Sequence, residues 1–343
     1  MLTPKQKTSL TRLFSLIFVL VSVFALSVSA DGFSGKEVYL GGFPFGLKID
    51  AEGVIVTEVS DFDSTLGRVS PAKDADIRAG DTILSVNGER VDTVEEMSDI
   101  ISTSKGKRLT LEIKRNREKL TKNLIPVLTQ DKKGYKSGLV IKDDTAGIGT
   151  VTFVDSDRLS FGGLGHGICE RNTTEVLPLK TGTVHSAKII DVVRGTNEKP
   201  GELRGIIDEN PSGILSMNTE VGVFGKFYNE PEALVKIKSA SKSEVVAGSC
   251  TVYTTLDGAS VTSLDAEITK ILDKDSDTKN FIVRLTDKNA LEKSGGIVQG
   301  MSGSPIVQNG RLIGAVTHVL MRDQREGYGI FIENMLAEAE KIK

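Results

Sequence analysis

Short runs of strand-forming residues, each ended by turn residues, fill most of the chain from about residue 129 onward. Val, Ile, Thr and Phe are frequent in these runs, and Gly, Asn, Asp and Lys separate them. The runs are Ile148–Phe153, Val176–Leu179, Ser186–Val193, Gly213–Met217, Glu220–Val223, Leu234–Ile237, Ser249–Thr254, Phe281–Leu285, Pro305–Val307 and Leu312–Val319. Many short strands with little helix predict a mainly β domain over residues 129–343, built as one closed barrel or a pair of barrels.

The end of the chain follows a helical period instead. Ile332, Met335, Leu336, Ala339 and Ile342 share one helical face. We therefore expect a C-terminal helix that packs against the barrel.

Composition excludes several classes of protein. The 343 residues leave room for two domains, and 39% hydrophobic with 26% charged residues is typical of a soluble globular chain. The net charge of −3 gives no electrostatic footprint for nucleic acid. Two cysteines and three widely spaced histidines provide no recognisable metal-binding pattern. We expect no cofactor, no metal and no nucleic-acid partner, and we expect Cys169 and Cys250 to be two buried thiols rather than a disulfide.

The first thirty residues have the order of an export signal. Lys5, Lys7 and Arg12 precede an apolar run over 13–28, and small residues follow in Val28-Ser29-Ala30. A basic, then apolar, then small order is typical of a secretory signal peptide, and an uncleaved membrane anchor is the alternative. Either way the segment predicts export and at least transient association with a membrane.

Residues 31–128 are predicted to form a small domain of their own. Gly80-Asp81-x-Ile83-Leu84-x-Val86-Asn87-Gly88 indicates a turn, a strand and a tight hairpin. Thr93 and Glu96 have the spacing of a capping box at the start of a helix over 93–104. This order resembles a PDZ domain (α+β) of the kind attached to bacterial proteases.

The PDZ resemblance implies a peptide-binding groove beside a glycine-rich loop. In that family a peptide adds as a strand next to the strand after this loop, and the loop N–H groups bind the peptide carboxylate. Gly42 and Gly46 would let the backbone approach the ligand, and Phe45 and Leu47 would form an apolar pocket. We expect a peptide or a chain end as the ligand.

The stretch Gly300-Met301-Ser302-Gly303-Ser304-Pro305 carries the clearest chemical signal. Glycines on both sides of Met301-Ser302 permit a tight turn that aims two N–H groups at one point. Those of Gly300 and Ser302 would form an oxyanion hole. The stretch resembles the nucleophile loop of chymotrypsin-like serine peptidases, with Ser302 as the nucleophile.

A serine nucleophile needs a base, and the chain has three histidines. His166 lies in a glycine-rich loop that leaves its ring open, upstream of the serine as the chymotrypsin-like order requires. His185 lies in a predicted strand, and His318 ends the strand that braces the serine loop, where a structural role is expected. We predict His166 as the base, and with an ordinary histidine pKa of about 6.5 activity should fall below that pH.

The third catalytic group should be a carboxylate that holds the imidazole. Asp155, Asp157, Asp191 and Asp287 all lie in β-rich surroundings, and spacing does not choose among them.

A family resemblance makes that choice. An export segment, one PDZ-like domain, Gly165-His166-Gly167 and the run Gly296–Val319 are together very similar to the stage IV sporulation protein B family, the PDZ-containing serine peptidases of endospore-forming bacteria. The resemblance implies that His166, Asp287 and Ser302 are catalytic.

The same resemblance implies a biological role. It implies an exported serine endopeptidase in the space between the inner and outer forespore membranes. The enzyme would cleave itself and then a regulatory membrane protein, and so trigger activation of a late sigma factor. A non-catalytic PDZ signalling adaptor with a dead peptidase domain is the alternative.

Overall fold

The computed structural model describes residues 33–116, 118–155, 159–169, 175–196, 199–232 and 235–342. The predicted export segment, residues 1–30, lies outside these ranges. Within them, no helix is both long enough and apolar enough to cross a membrane.

Strands make up most of the described residues, which confirms the predicted mainly β class. In chain order the strands are β1 (Glu37–Leu40), β2 (Pro44–Val59), β3 (Phe62–Ser64), β4 (Gly67–Val69), β5 (Thr82–Val86), β6 (Glu89–Arg90), β7 (Leu109–Arg115), β8 (Glu118–Leu124), β9 (Val127–Leu128), β10 (Tyr135–Lys136), β11 (Leu139–Val154), β12 (Ser160–Gly163), β13 (Leu179–Val193), β14 (Glu202–Thr219), β15 (Gly222–Phe227), β16 (Lys236–Ser239), β17 (Gly248–Thr254), β18 (Thr262–Ile271), β19 (Phe281–Leu285), β20 (Pro305–Gln308), β21 (Arg311–Val319) and β22 (Glu326–Phe331). The helices are α1 (Pro71–Asp74), α2 (Val94–Thr103), α3 (Lys288–Ser294) and α4 (Ile332–Ala339).

Six of the described strands close into an N-terminal barrel. The first half of β2 pairs with β11 along one edge and with β13 along the other. The ring continues from β13 through β14, β15 and β12 back to β11. Phe45, Phe161 and Phe227 fill its interior together with aliphatic side chains such as Val184. Closure leaves these paired strands without an open edge in this barrel.

Six further described strands close into a C-terminal barrel. β17 pairs with β18, β18 with β19, and β19 with β22. β22 then pairs with β21, β21 with β20, and β20 with β17. Val252, Phe281, Ile306 and Val316 belong to its core. The described residues therefore contain a pair of barrels, one of the two forms that the sequence predicts.

Helix α4 packs where the C-terminal helix is expected. Its buried Met335 and Leu336 share one apolar cluster with Phe153 and Phe224 of the N-terminal barrel and with Ile330 of the C-terminal barrel. The prediction of a C-terminal helix on the barrel is confirmed.

The PDZ domain has a separate core. Val56, Met97, Leu111 and Ile113 pack together with almost no exposed surface, and Leu139 packs against them. The second half of β2 pairs with β5, and β5 pairs with β7. Helix α2 begins with the expected capping box, in which the Thr93 side chain accepts from the Glu96 N–H.

Two strands belong to both the PDZ domain and the N-terminal barrel. Lys142 of β11 lies opposite Ile55 of β2, but Asp144 lies opposite Asp50, so the pairing is interrupted between the two domains. The chain enters the PDZ domain along β2 and returns along β11. The PDZ domain is thus inserted between two neighbouring barrel strands, whereas the sequence predicts a domain over 31–128 that precedes the peptidase. We propose the ranges 54–142 for the PDZ domain and 33–50 with 144–342 for the peptidase domain.

Candidate active site

A cleft of about 680 Å³ lies between the two barrels and receives residues from both. The loop after β12 brings His166 from the N-terminal barrel, and the loop before β20 brings Ser302 from the C-terminal barrel. Most of the remaining lining is apolar, including Ile148, Ile297 and Val298. The fold therefore places the two groups predicted as base and nucleophile in the same cleft, although they are far apart in sequence.

The serine loop requires its glycines. Gly300 and Gly303 have φ values of +96° and +93°, in the left-handed region that favours glycine. A Cβ on Gly303 would lie 2.0 Å from the Thr150 carbonyl oxygen and 2.4 Å from the Leu164 nitrogen, which no side chain could tolerate. The fully buried Met301 anchors the turn between them.

The backbone N–H groups of Gly300 and Ser302 have no hydrogen-bond acceptor among the described residues. Both residues line the cleft. The neighbouring N–H groups of Met301 and Gly303, in contrast, donate to backbone carbonyls at 3.1 and 2.8 Å. Two unused donors beside a serine are what a developing oxyanion needs.

The imidazole of His166 is held in one tautomer. Its Nδ1 lies 2.8 Å from the Gly167 carbonyl oxygen, which can only accept, so Nδ1 carries the proton. Nε2 is then left with a lone pair, the state required of a base. Burial lowers the pKa of His166, and the Gly167 carbonyl partly opposes that shift.

The Ser302 hydroxyl donates to the Thr317 carbonyl oxygen at 2.6 Å. It makes no hydrogen bond to His166 in this structure, so the hydroxyl must leave the Thr317 carbonyl and come within hydrogen-bond distance of the imidazole before its proton can pass. Such looseness is common in a peptidase without substrate.

His318 is the site residue that the sequence reasoning assigned to a structural role. Its ring centroid lies 4.3 Å from that of His166, and the ring lines the cleft. Burial, together with smaller contributions from the charges of His166 and Lys279, lowers the pKa of His318 to about 4. Residues 312–317 of β21 are all buried, so strand alternation gives no signal in the sequence that His318 faces the cleft.

The match with known families decides which kind of site this is. Residues 133–336, more than half of the chain, match the family model described as SpoIVB peptidase S55. The chain belongs to the SpoIVB peptidase S55 family. It is therefore a serine peptidase, and residues 65–115 match a PDZ domain.

The S55 peptidase is also similar to two solved structures. One is the Rv3671c protease in an inactive form, at 16% identity over 57% of this chain and 84% of that chain, with a TM-score of 0.34. The other is a serine-to-alanine mutant of Rv3671c from M. tuberculosis H37Rv, also inactive, at 15% identity over 57% and 83%, with a TM-score of 0.32.

Asp287, predicted as the catalytic acid of the S55 peptidase, does not meet the histidine. It is the N-cap of α3, where its Oδ1 accepts the Ala290 N–H at 2.9 Å. Its own N–H donates to the Asp265 carbonyl oxygen, and it does not line the cleft. The structure therefore does not bring Asp287 together with His166, and the role of Asp287 as the catalytic acid stays a prediction.

The other acids considered from the sequence do not replace Asp287. Asp155 pairs with Lys36 at 3.3 Å, Asp191 is exposed on β13, and Asp157 lies outside the described residues. Among the described acids, Glu220 alone lines the cleft.

The glycine loop predicted for peptide binding lies in the peptidase barrel. Phe45 and Leu47 are buried in the N-terminal barrel core, and Gly46 packs against the Ile207 side chain. Gly42 contacts the residues around Tyr253. Because both edges of this part of β2 are already paired, no peptide can add here, and the sequence prediction for these four residues is wrong.

The two cysteines are unpaired thiols. Cys250 is buried as expected, but Cys169 is exposed at the edge of the cleft. Burial and the charge of Glu220 raise the pKa of Cys169, which disfavours a thiolate nucleophile there.

Proposed function

We propose that the S55 peptidase cuts peptide bonds by acyl transfer, with Ser302 as nucleophile and His166 as general base. The observation that carries this proposal is the convergence of the two side chains and two unused N–H donors in one cleft between the barrels. Ser302 Oγ attacks the peptide carbonyl carbon while its proton passes to Nε2 of His166. The C–N bond then breaks, and His166 returns the proton to the leaving amine, which leaves an acyl-enzyme. Water then attacks the acyl carbon while His166 takes its proton, and the Ser302 ester bond breaks to release the acid and the free hydroxyl.

The remaining geometry supports this reaction. The N–H groups of Gly300 and Ser302 stabilise the oxyanion, with each donor worth on the order of 3 kcal/mol. The Gly167 carbonyl takes the orienting position that a carboxylate occupies in a Ser-His-Asp triad. A neutral His318 packs beside the imidazole without adding a competing positive charge.

Family membership supports a role in sporulation signalling. We propose that the exported enzyme acts between the two forespore membranes, first on itself and then on a regulatory membrane protein, whose cleavage triggers activation of a late sigma factor. The N-terminal segment would attach it to the membrane at least transiently.

The PDZ domain supports a second binding function at a position different from the glycine loop. Leu139, Val140 and Ile141 of β11 pair with β2 on one edge, and no described strand pairs with their other edge. Helix α2 lies beside this strand, since the Val94 N–H donates to the Asp143 side chain at 2.8 Å. We propose that an extended chain end adds to this edge next to α2.

A binding experiment tests the proposed groove. A fluorescent peptide with a free carboxyl terminus should bind the wild type, and Ile141→Ser should weaken binding because it removes apolar surface beside the groove. Leu66→Ser, on the exposed turn between β3 and β4, is the matched control. Equal binding by the wild type and Ile141→Ser would contradict the groove assignment.

Active-site labelling tests the catalytic proposal. A fluorophosphonate probe should label the wild type and should not label Ser302→Ala. Ser304→Ala is the control, since Ser304 lies two residues away but is fully buried and donates to Thr254. Sequencing of new N-termini after incubation of the full chain would identify self-cleavage sites. Cleavage or labelling that persists in Ser302→Ala would overturn the proposal.

A further inference from the structure

Thr150 of β11 contacts both catalytic loops at once. Its Oγ1 donates to the Gly300 carbonyl oxygen at 2.8 Å, and its N–H donates to the Ser302 carbonyl oxygen at 3.0 Å. Its own carbonyl accepts the Leu164 N–H at 3.2 Å, two residues before the base. Thr150 is 1% exposed, so these bonds are shielded from water.

The hydroxyl holds the peptide unit that separates the two oxyanion donors. The Gly300 carbonyl belongs to the peptide bond between Gly300 and Met301, and the Gly300 and Ser302 N–H groups lie on either side of that bond. Gly300 has no Cβ to restrict its rotation. If the Gly300 carbonyl lost the Thr150 hydroxyl, a partly buried acceptor would be left without a hydrogen bond, and rotation of the peptide unit toward another donor would become more favourable. Either adjacent N–H would then be aimed away from the oxyanion.

We infer that Thr150 is a positioning residue, which keeps the oxyanion hole formed and in register with the histidine loop. This inference rests on the proposed role of Ser302. The residue touches neither substrate nor reacting atoms; it acts through Gly300 and Ser302. A hydroxyl on the neighbouring barrel would thus set the geometry of the nucleophile loop.

The test compares transition-state binding with ground-state binding. Thr150→Val keeps the shape of the side chain and removes the hydroxyl. The peptide sequence is taken from the self-cleavage site. A peptide aldehyde, which adds Ser302 Oγ across its carbonyl, reports the oxyanion hole, and the matching peptide alcohol, which has no carbonyl at that position, reports binding of the peptide alone. We expect kcat and aldehyde affinity to fall by about 10- to 100-fold, somewhat less than for removal of an oxyanion donor itself. KM and peptide-alcohol affinity should change less than about twofold, as expected for an interaction that matters in the transition state.

Two variants separate positioning from general destabilisation. Thr150→Ser keeps the hydroxyl and should restore kcat to within about threefold of wild type. Thr255→Val removes another buried hydroxyl, one that donates to the Gly42 carbonyl at 3.1 Å, and it should leave the ratio of aldehyde to alcohol affinity unchanged. If Thr150→Val does not fold, Thr150→Cys, with its weaker donor, is measured instead and should show the same selective loss of aldehyde affinity.

Three results would refute the inference: wild-type aldehyde affinity in the hydroxyl-free variant, equal loss of aldehyde and alcohol affinity, or no rescue by Thr150→Ser. Failure of the underlying catalytic proposal looks different. In that case Ser302→Ala would itself keep its activity and its aldehyde affinity.

Discussion

The contrast between Asp287→Asn and Asp287→Ala distinguishes a helix cap from a catalytic acid. Asp287 accepts one N–H from the first turn of α3 through its side chain. Asparagine is as good an N-cap as aspartate, so Asp287→Asn should change stability by only a few tenths of a kcal/mol. Alanine loses the bond and should cost about 1 kcal/mol. For a domain of this size that corresponds to a fall in Tm of roughly 2–4 °C.

The two roles predict very different rates. If Asp287 only caps α3, Asp287→Asn should keep kcat/KM within about threefold of wild type. If its carboxylate instead orients the base, loss of the charge should lower kcat by roughly 10⁴-fold while the fold stays intact. The assay is cleavage of a peptide ester beside thermal unfolding, with Ser302→Ala as the background rate. A folded Asp287→Asn without activity would refute the helix-cap assignment and return Asp287 to the catalytic site.

The site and the fold give four more predictions. Because burial lowers the pKa of His166, kcat/KM should stay on its plateau as the pH falls through 6.5 and should decline only at lower pH. An apparent pKa at or above 6.5 in the pH profile would contradict this prediction and would agree with the expectation from sequence, which assumes an ordinary histidine pKa. Unfolded histidine still takes up its proton near pH 6.5, so the free energy of unfolding should also decrease below that pH, as measured by urea titration. Gly303→Ala should abolish activity and destabilise the serine loop. Gly310 also has a positive φ but has open space around it, so Gly310→Ala should lower the free energy of unfolding by only about 1–2 kcal/mol and should keep activity. Similar losses in both variants would argue against the close packing of the serine loop. A chain that begins at Gly53 should fail to fold, because it lacks a barrel strand paired on both edges, while one that begins at Phe33 should fold; circular dichroism and labelling with the fluorophosphonate would show the difference.

The sequence predicts those strands in which strand-forming residues run through the whole element. β17, β19 and β21 were predicted because β-branched residues continue through them. The sequence does not predict β18 (Thr262–Ile271), because charged residues on its exposed face interrupt the apolar pattern of its buried Leu264 and Ala266. The insertion of the PDZ domain could not be predicted, because local periodicity does not reveal that β2 pairs with β11 from the far side of that domain.

The chemistry was predictable where it is local. Ser302 and His166 stand out because neighbouring glycines mark their loops. His318 joins them only through contact between two barrels, which no local pattern contains. Asp287 was assigned from the family, but a helix of seven residues follows it and ends at Gly295 with φ +79°, and this pattern already favours a cap.

The inserted domain has a consequence for the order of folding. Asp50 and Asp144 lie side by side as partners in the barrel, yet residues 51–143 separate them along the chain. Were that segment unfolded, bringing its ends together would carry a loop-closure entropy of about 4 kcal/mol, comparable to much of a domain's net stability. Once folded, the segment holds its two ends at the distance of neighbouring strands, and so brings the two barrel strands together. A ligand that stabilises the folded PDZ segment should therefore also raise the unfolding temperature of the peptidase barrels.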